Sequence, residues 1–198
     1  MGIWYRQYTL EEIRQRGIGT MVEHLGIIIT EIGEDFLKGK MAVDNRTVQP
    51  MGLLHGGASV ALAETLGSLA ANYVVDNQKK YCVGLDINAN HVRGAKSGWV
   101  TGVAKPLHLG STTQVWSIDI NDEKGRLVCV SRLTMAVLER NKYYSSSDAS
   151  SLGSVKEKVL PLPGSLSICI WPPFLCRNSL QSIKPKPVPD SLEVPFVV

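Results

Sequence analysis

One carboxylate interrupts a run of small and apolar residues, LLHGGASVALAETLGSLAA, at positions 53–71. Burying a charged carboxylate costs free energy unless it is paired, hydrogen-bonded or used, so Glu64 is a candidate catalytic group. Glu64, Ser68 and Asn72 are spaced by four residues, and on a helix they share one face. Two interpretations of this stripe stay open: a buried polar network that fixes register, or a carboxylate that acts as base or nucleophile in a cleft.

The glycines that precede this stripe supply a second kind of group. The first turn of a helix has unpaired N–H donors, and glycine lets a substrate carbonyl approach the backbone, so HGG at 55–57 suits an oxyanion hole. Two glycines before a helix can also be a plain turn. Gly56 and Glu64 are eight residues apart, roughly 12 Å along a helix. If both act on one carbonyl, they must come from two subunits of a twofold dimer.

The segments around the stripe predict an α+β domain. A short helix begins at Thr9, where Glu12 completes a capping box, and two strands lie within residues 25–43. A long helix covers about 57–75. Four strand-like segments follow, at 81–92, 98–109, 112–121 and 126–138. Their tight turns favour a mostly antiparallel sheet.

Two patterns predict how these elements pack. The long helix is rich in alanine and glycine and apolar on nearly all sides, so we expect it to be buried inside a curved sheet. In the third of the four strand-like segments, apolar and polar residues alternate. One face consists of Val115, Ser117 and Asp119, and the other consists of Gln114, Trp116, Ile118 and Ile120. Trp116 is expected in the core or at an interface.

The composition of the 198-residue chain restricts its partners. A net charge of +3 without a long basic run argues against nucleic acid as the main partner. No apolar stretch suits a membrane span, and we see no signal peptide. The four cysteines form no CxxC pair, so no metal or redox site is expected, and the cytoplasm is the expected compartment.

The composition changes near residue 141, which divides the chain into a domain at 1–140 and a tail at 141–198. Eight of the ten prolines lie beyond residue 160, and serines are frequent there. This composition predicts a largely disordered tail. An apolar segment, SLSICIWPPFLC at 165–176, could dock on the domain or form an interaction patch.

Three motifs, QPMGLLHGGASVALAETLGS, INANHVR and KPLHLGS, together resemble those of the hot-dog-fold acyl-CoA thioesterases. Over residues 1–139 the chain is similar to the group containing the bacterial 1,4-dihydroxy-2-naphthoyl-CoA hydrolases and the enterobactin proofreading thioesterases. The resemblance implies a long helix wrapped by a curved sheet, in homodimers and commonly homotetramers. It implies hydrolysis of an acyl-CoA to free acid and CoA without a cofactor. The leading substrate is 1,4-dihydroxy-2-naphthoyl-CoA of menaquinone or phylloquinone biosynthesis.

The resemblance also implies a role for each site residue. Glu64 would attack the thioester carbonyl or activate water, the Gly56 amide would polarise the carbonyl, and Ser68 would position the water. Gln49 and His55 would help to hold the thioester group. The residues expected to contact CoA are Gly84, His91, Arg93, His108, Gly110 and Ser111. Their basic side chains suit phosphates, although from the residues alone they could equally be a solvated strand end.

Other functions stay open beside the leading one. The enzyme could instead act on misacylated carrier protein or on other acyl-CoAs. A carrier protein lacks the adenine 3′-phosphate, so a strong dependence on Arg93 would favour CoA. A non-catalytic acyl-CoA sensor could use the same fold, but it would have no need of Glu64. The sequence has no G-x-S-x-G motif, which disfavours an α/β-hydrolase thioesterase.

Overall fold

A computed structural model describes residues 2–140, 156–159 and 167–170 of the chain. The chain divides into two units, Met1–Tyr144 and Ser145–Val198. In the first unit the elements are, in order, α1 (Leu10–Gln15), α2 (Met21–His24), β1 (Ile28–Ile32), β2 (Leu37–Ala42), α3 (Gly56–Val74), β3 (Lys80–His91), β4 (Trp99–Leu109), β5 (Thr113–Asp122) and β6 (Leu127–Glu139).

In the second unit, β7 (Lys156–Val159) and β8 (Ser167–Ile170) pair as antiparallel strands. The sequence analysis did not predict this pair. The predicted disorder of the rest of 141–198, and the apolar segment apart from β8, lie outside the described residues.

The first unit is built on one antiparallel sheet with the strand order β1-β2-β4-β5-β6-β3. β3 pairs with β6 along its whole length, from Lys80 opposite Glu139 to His91 opposite Cys129. Its other side is an edge of the sheet, so its outer backbone groups are available for pairing with another strand. The antiparallel sheet predicted from the tight turns is confirmed.

α3 is the central helix, and it lies against β2, β3, β4, β5 and β6. Its small residues explain this closeness: a Cβ atom at Gly67 would collide with the Leu133 side chain on β6. Leu62 and Leu66 are fully buried in the core, and each contributes roughly 2 kcal/mol by leaving water. The predicted helix is confirmed to within one residue at each end. Within the described residues, no helix is both long and apolar enough to cross a membrane.

β5 shows why one face of the sheet packs on α3. Its four alternating residues, Gln114, Trp116, Ile118 and Ile120, are all buried, which confirms the alternation and the core position expected for Trp116. The polar member of this face is satisfied: Trp116 Nε1 donates to Gln114 Oε1 at 3.0 Å, and Gln114 Nε2 donates to the Ala71 carbonyl at 3.5 Å. The core therefore accepts a glutamine without leaving a buried polar group unpaired.

Two short helices precede the sheet. The capping box of α1 is confirmed, since the Glu12 amide donates to Thr9 Oγ1 at 3.2 Å and the Thr9 amide donates to Glu12 at 3.0 Å. α2 is capped by Thr20. The sequence analysis did not predict α2, because four residues are too few to show a helical period.

Candidate active site

Glu64 lies near the middle of α3, half-buried against the edge strand. Its Oε1 accepts a hydrogen bond from Ser68 Oγ at 2.9 Å. A Cβ atom at Gly84 on β3 would lie 2.8 Å from the same oxygen, so the carboxylate occupies the space that a side chain there would fill. The register of β3 with β6 shifts between Gly84 and Asp86. Such bulges are common beside active sites, where they adjust the position of the backbone.

Asn72, the last residue of the polar stripe, has a structural role. Its Nδ2 donates to the carbonyls of Ser68 at 2.9 Å and Cys82 at 3.1 Å, and its Oδ1 accepts from the Cys82 amide at 2.9 Å. These bonds tie α3 to β3. Asn72 thus fits the interpretation of a network that fixes packing, whereas Glu64 has a single side-chain partner and faces a cleft.

That cleft, which we call the carboxylate cleft, has a volume of about 380 Å³. It is lined by Arg16, Val22, Glu64, Thr65, Ser68, Leu69 and Asn72. The sequence analysis missed four of these as site residues: Arg16, Val22, Thr65 and Leu69. Arg16 and Val22 come from the N-terminal helical segment, whose placement over α3 depends on tertiary packing and leaves no local signal.

The start of α3 holds amide donors. His55 is the N-cap, and its Nδ1 accepts from the Gly57 amide at 2.8 Å. In the neutral imidazole this bond places the proton on Nε2, which can then donate. No residue within 2–140 accepts the Gly56 N–H. Gly56 thus offers a free amide at the positive end of the helix dipole, as an oxyanion hole requires.

A second cleft, which we call the amide cleft, opens at this end of α3, with a volume of about 340 Å³. A Cβ atom at Gly56 would lie 2.8 Å from His91 Nε2, so the imidazole packs directly on the glycine. Gln49 Oε1 accepts from the Met51 amide at 2.7 Å, which leaves the Gln49 side-chain NH₂ as a donor. The lining residues are Gln49, Leu53, Leu54, Gly56, Ser59, His91, Val92, Arg93, Gly94 and Val128.

The remaining predicted CoA residues lie at the other end of β3. His108 lies near the end of β4, and Gly110 and Ser111 belong to the turn from β4 to β5. The Thr112 carbonyl of this turn accepts from the Val137 amide on β6 at 2.8 Å, next to the strand that carries Gly84. The Gly110 amide donates to the Thr113 carbonyl at 2.9 Å, so this N–H is already used within the turn.

The predicted site residues therefore form three groups in one protomer. Gln49, Gly56, His91 and Arg93 meet at the amide cleft, with His55 beside them. Glu64 and Ser68 line the carboxylate cleft, and Gly84 lies against the Glu64 carboxylate. The third group, at the end of β4 and the turn after it, lines neither cleft and consists of His108, Gly110 and Ser111. Gly56 and Glu64 line different clefts of one protomer. Their separation along the helix predicts this arrangement.

The described cysteines do not add a nucleophile to either cleft. Cys82 and Cys129 are free and buried. Burial raises the pKa of Cys82 to about 11 and also raises the pKa of Cys129. Both thiols thus stay protonated at neutral pH. Among the residues that the structure describes, no three His, Cys, Asp or Glu side chains are arranged to hold a metal ion.

Comparisons with known proteins identify the family of the chain. Residues 51–129 match the Thioesterase superfamily. The chain is 58% identical over 136 residues to the 1,4-dihydroxy-2-naphthoyl-CoA hydrolase of Escherichia coli K12, which covers 69% of this chain and 99% of that protein. It is 54% identical to the proofreading thioesterase EntH of Cronobacter sakazakii, over 69% of this chain and 98% of the other.

A solved structure supports the same relationship. The crystal structure of a thioesterase from Haemophilus influenzae superposes with a TM-score of 0.70 at 50% identity, over 72% of this chain and 99% of that one. Identity at this level over nearly the whole length of each relative establishes the family. The chain therefore belongs to the thioesterase superfamily, as a thioester hydrolase with the hot-dog fold.

Proposed function

We propose that this hydrolase cleaves an aryl-CoA thioester, with 1,4-dihydroxy-2-naphthoyl-CoA of menaquinone or phylloquinone biosynthesis as the leading substrate. The observation that carries the reaction is Glu64, a half-buried carboxylate with one side-chain partner that faces an open cleft. The substrate follows from the Escherichia coli relative, which carries that name. We propose a cytoplasmic location, with which the free thiols of Cys82 and Cys129 agree.

We also propose that the site is completed in a homodimer. The edge of β3 has no strand partner within the described residues, and Val83 and Leu85 on it are exposed, at 39% and 63%. A twofold axis through this edge would pair two β3 strands antiparallel. The Gly84 end of one protomer would then lie beside the His91 end of the other. This pairing would bring Glu64 to the partner's amide cleft, and two such dimers could form the tetramer.

In the combined site, one protomer would supply the hydrogen-bond donors and the other would supply the carboxylate. The Gly56 amide and the Gln49 side-chain NH₂ would donate to the thioester oxygen as negative charge develops on it. Glu64 would either attack the carbonyl carbon or remove a proton from the water that attacks it, and CoA leaves as the thiolate. Ser68 would hold the carboxylate through its hydrogen bond. His91 and Arg93, with His108, Gly110 and Ser111 of the partner's turn, would hold CoA.

The first experiment is thiol release from benzoyl-CoA and 1,4-dihydroxy-2-naphthoyl-CoA. We expect the wild type to hydrolyse the naphthoyl thioester with the higher kcat/KM, and Glu64→Ala to lose activity by about 10²-fold or more. Asp35→Ala is the matched control, because Asp35 is an exposed carboxylate in the β1–β2 turn that lines neither cleft and lies off the β3 edge. Binding without hydrolysis by the wild type would instead support an acyl-CoA sensor.

The Cronobacter relative, named a proofreading thioesterase, supports a second candidate: clearance of misacylated carrier protein. The effect of replacing Arg93 distinguishes an acyl-CoA substrate from an acylated carrier protein. With an acyl-CoA substrate, Arg93→Ala should raise KM and lower kcat/KM by roughly 10-fold, because a guanidinium–phosphate contact is lost. With an aryl thioester of carrier protein, which has no 3′-phosphate, the change should be small. A higher kcat/KM on carrier protein than on any acyl-CoA would favour the proofreading role.

A further inference from the structure

An apolar pocket of about 310 Å³ adjoins the carboxylate cleft, and we call it the side pocket. The two share Arg16, Val22 and Leu69 as lining residues. The rest of the side pocket is mostly aliphatic and comes from α1, α2 and β1. Its remaining lining residues are Ile13, Arg14, Gly17, Ile18, Glu23, Gly26, Ile27, Ile28 and Ile29.

The side pocket is in the right place for an acyl group. A thioester carbonyl at Glu64 has CoA on one side and the acyl group on the other. The groups suited to CoA phosphates, His91 and Arg93, line the amide cleft, which lacks Glu64. An acyl group that leaves Glu64 in the other direction passes Leu69 and enters the side pocket. This step rests on the proposed function.

Three charged side chains line the side pocket, and two have partners. Arg14 Nε and Nη2 both donate to the Ile29 carbonyl, at 3.1 and 3.0 Å. The Glu23 carboxylate accepts from the Gly19 amide at 2.7 Å. Arg16 forms no ion pair within residues 2–140. It is also the one cation that lines both the side pocket and the carboxylate cleft.

Tyr73 holds the Arg16 guanidinium near this junction. The guanidinium carbon lies 5.4 Å from the centroid of the Tyr73 ring, within the range of a cation–π contact. The Tyr73 hydroxyl is buried and has no hydrogen-bond partner within the described residues. Burial raises the pKa of this hydroxyl, and the positive charge of Arg16 opposes that rise. Arg16 is exposed and lies against the Tyr73 ring, and its guanidinium donates to no acceptor at hydrogen-bond distance within residues 2–140.

We propose that Arg16 is a specificity-determining residue that selects acyl groups bearing an oxygen substituent, a hydroxyl or a carboxylate, beyond the thioester carbonyl. An unsubstituted aryl or alkyl group in the side pocket would displace water from the Arg16 guanidinium without accepting a hydrogen bond from it. An oxygen on the ring would accept a charge-assisted hydrogen bond from Arg16. The substrate class is therefore hydroxylated or carboxylated aryl thioesters.

The test is a pair of substrates that differ only in ring oxygens: 1,4-dihydroxy-2-naphthoyl-CoA and 2-naphthoyl-CoA. Arg16→Met should lower kcat/KM for the dihydroxy substrate by about 10- to 100-fold, the size expected for one charged hydrogen bond. For 2-naphthoyl-CoA the change should stay within about threefold. Arg16→Lys, which keeps a donor and the charge, should restore part of the preference. Lys124→Met, in the exposed β5–β6 turn, is the control for lost charge.

Binding separates this inference from the proposed function. In a Glu64→Gln background, calorimetry with both acyl-CoAs gives the ratio of their dissociation constants with and without Arg16→Met. A ratio that collapses with Arg16→Met supports the inference even if the wild type hydrolyses neither substrate. If Arg16→Met weakens both substrates equally, or neither, in both assays, the inference is overturned although hydrolysis by the wild type stands.

Discussion

The two clefts along α3 differ in the kind of group they present. The amide cleft, at the start of the helix, offers donors: the Gly56 N–H, the Gln49 side-chain NH₂ and Arg93. The carboxylate cleft, two turns later, offers the acceptor Glu64. Donors without a base, or a base without donors, make half of a hydrolytic site. The contrast supports our proposal that each protomer contributes one half to each of two sites in a dimer.

The most direct test of the donor role of the amide cleft is to remove one donor without disturbing the helix. Proline is tolerated at the first helical position, and His55 before it already has an extended backbone. Gly56→Pro therefore deletes the free N–H, and we expect kcat to fall by about 10²- to 10³-fold, the usual loss for an oxyanion donor.

Gly56→Ala is the matched control for that variant. Both substitutions add a Cβ atom against His91, but only proline removes the N–H. Steady-state kinetics with benzoyl-CoA should show Gly56→Ala well above Gly56→Pro. Equal losses in the two variants would mean that the contact with His91, and not the amide, matters at this position.

Complementation tests whether the two halves meet across subunits. Gly56→Pro and Glu64→Ala are each expected to be inactive, but a mixed dimer has one site in which both residues are intact. Random reassociation makes half of the dimers mixed, so co-refolded variants should recover about a quarter of the wild-type rate. No recovery, with mixed dimers verified by native mass spectrometry, would show that each protomer holds a complete site.

Several elements that build this site could be predicted from the sequence because their signals are local. The alternation in β5 identifies the buried face that contains Trp116, and the four-residue spacing identifies the hydrogen-bonded pair Glu64 and Ser68. The separation of Gly56 from Glu64 along one helix follows from the helical rise alone. In each case neighbouring residues determine the geometry.

Other features depend on contacts between distant segments, and the sequence did not predict them. Asn72 has the same spacing as Glu64 and Ser68, yet its partner is Cys82 on β3, so its structural role appears only in the folded chain. Arg16 directly follows α1, lies against the Tyr73 ring and lines the carboxylate cleft. No local period marks either residue.

A smaller effect should separate Asn72 from Glu64 within the same stripe. Asn72→Ala removes the side chain that bonds the Cys82 amide and carbonyl and leaves those backbone groups unsatisfied at the α3–β3 contact. We expect the free energy of unfolding to fall by about 1–3 kcal/mol. Urea denaturation measures this loss, with Asn88→Ala on the exposed part of β3 as the control. If the Asn72→Ala protein is as stable as the wild type but has lost hydrolysis, Asn72 has a catalytic role and not a packing role.

A still smaller effect should appear at high pH behind the carboxylate cleft. Burial raises the pKa of Cys82 to about 11 from 9.0, so the folded state holds the proton more tightly than the unfolded chain does. This contribution is complete below pH 9 and is lost as the pH rises from about 9 through 11. In urea unfolding at stepped pH, the stability advantage of wild type over Cys82→Ala should shrink across that interval. A constant difference would show that the Cys82 thiol is not desolvated.

The smallest expected effect comes from residues 141–198. Among the described residues, those that line the two clefts lie between Arg16 and Val128, and the curated relatives match this chain over about 136 residues. We therefore predict that a chain ending at residue 140 keeps kcat and KM for benzoyl-CoA within about twofold of the full chain, since it keeps every described lining residue. Light scattering on the same two proteins shows whether the oligomer also survives. A large loss of hydrolysis with the oligomer intact would mean that the tail supplies a group to one of the clefts. The donors and the acceptor described for the two clefts would then not be the full set of catalytic groups.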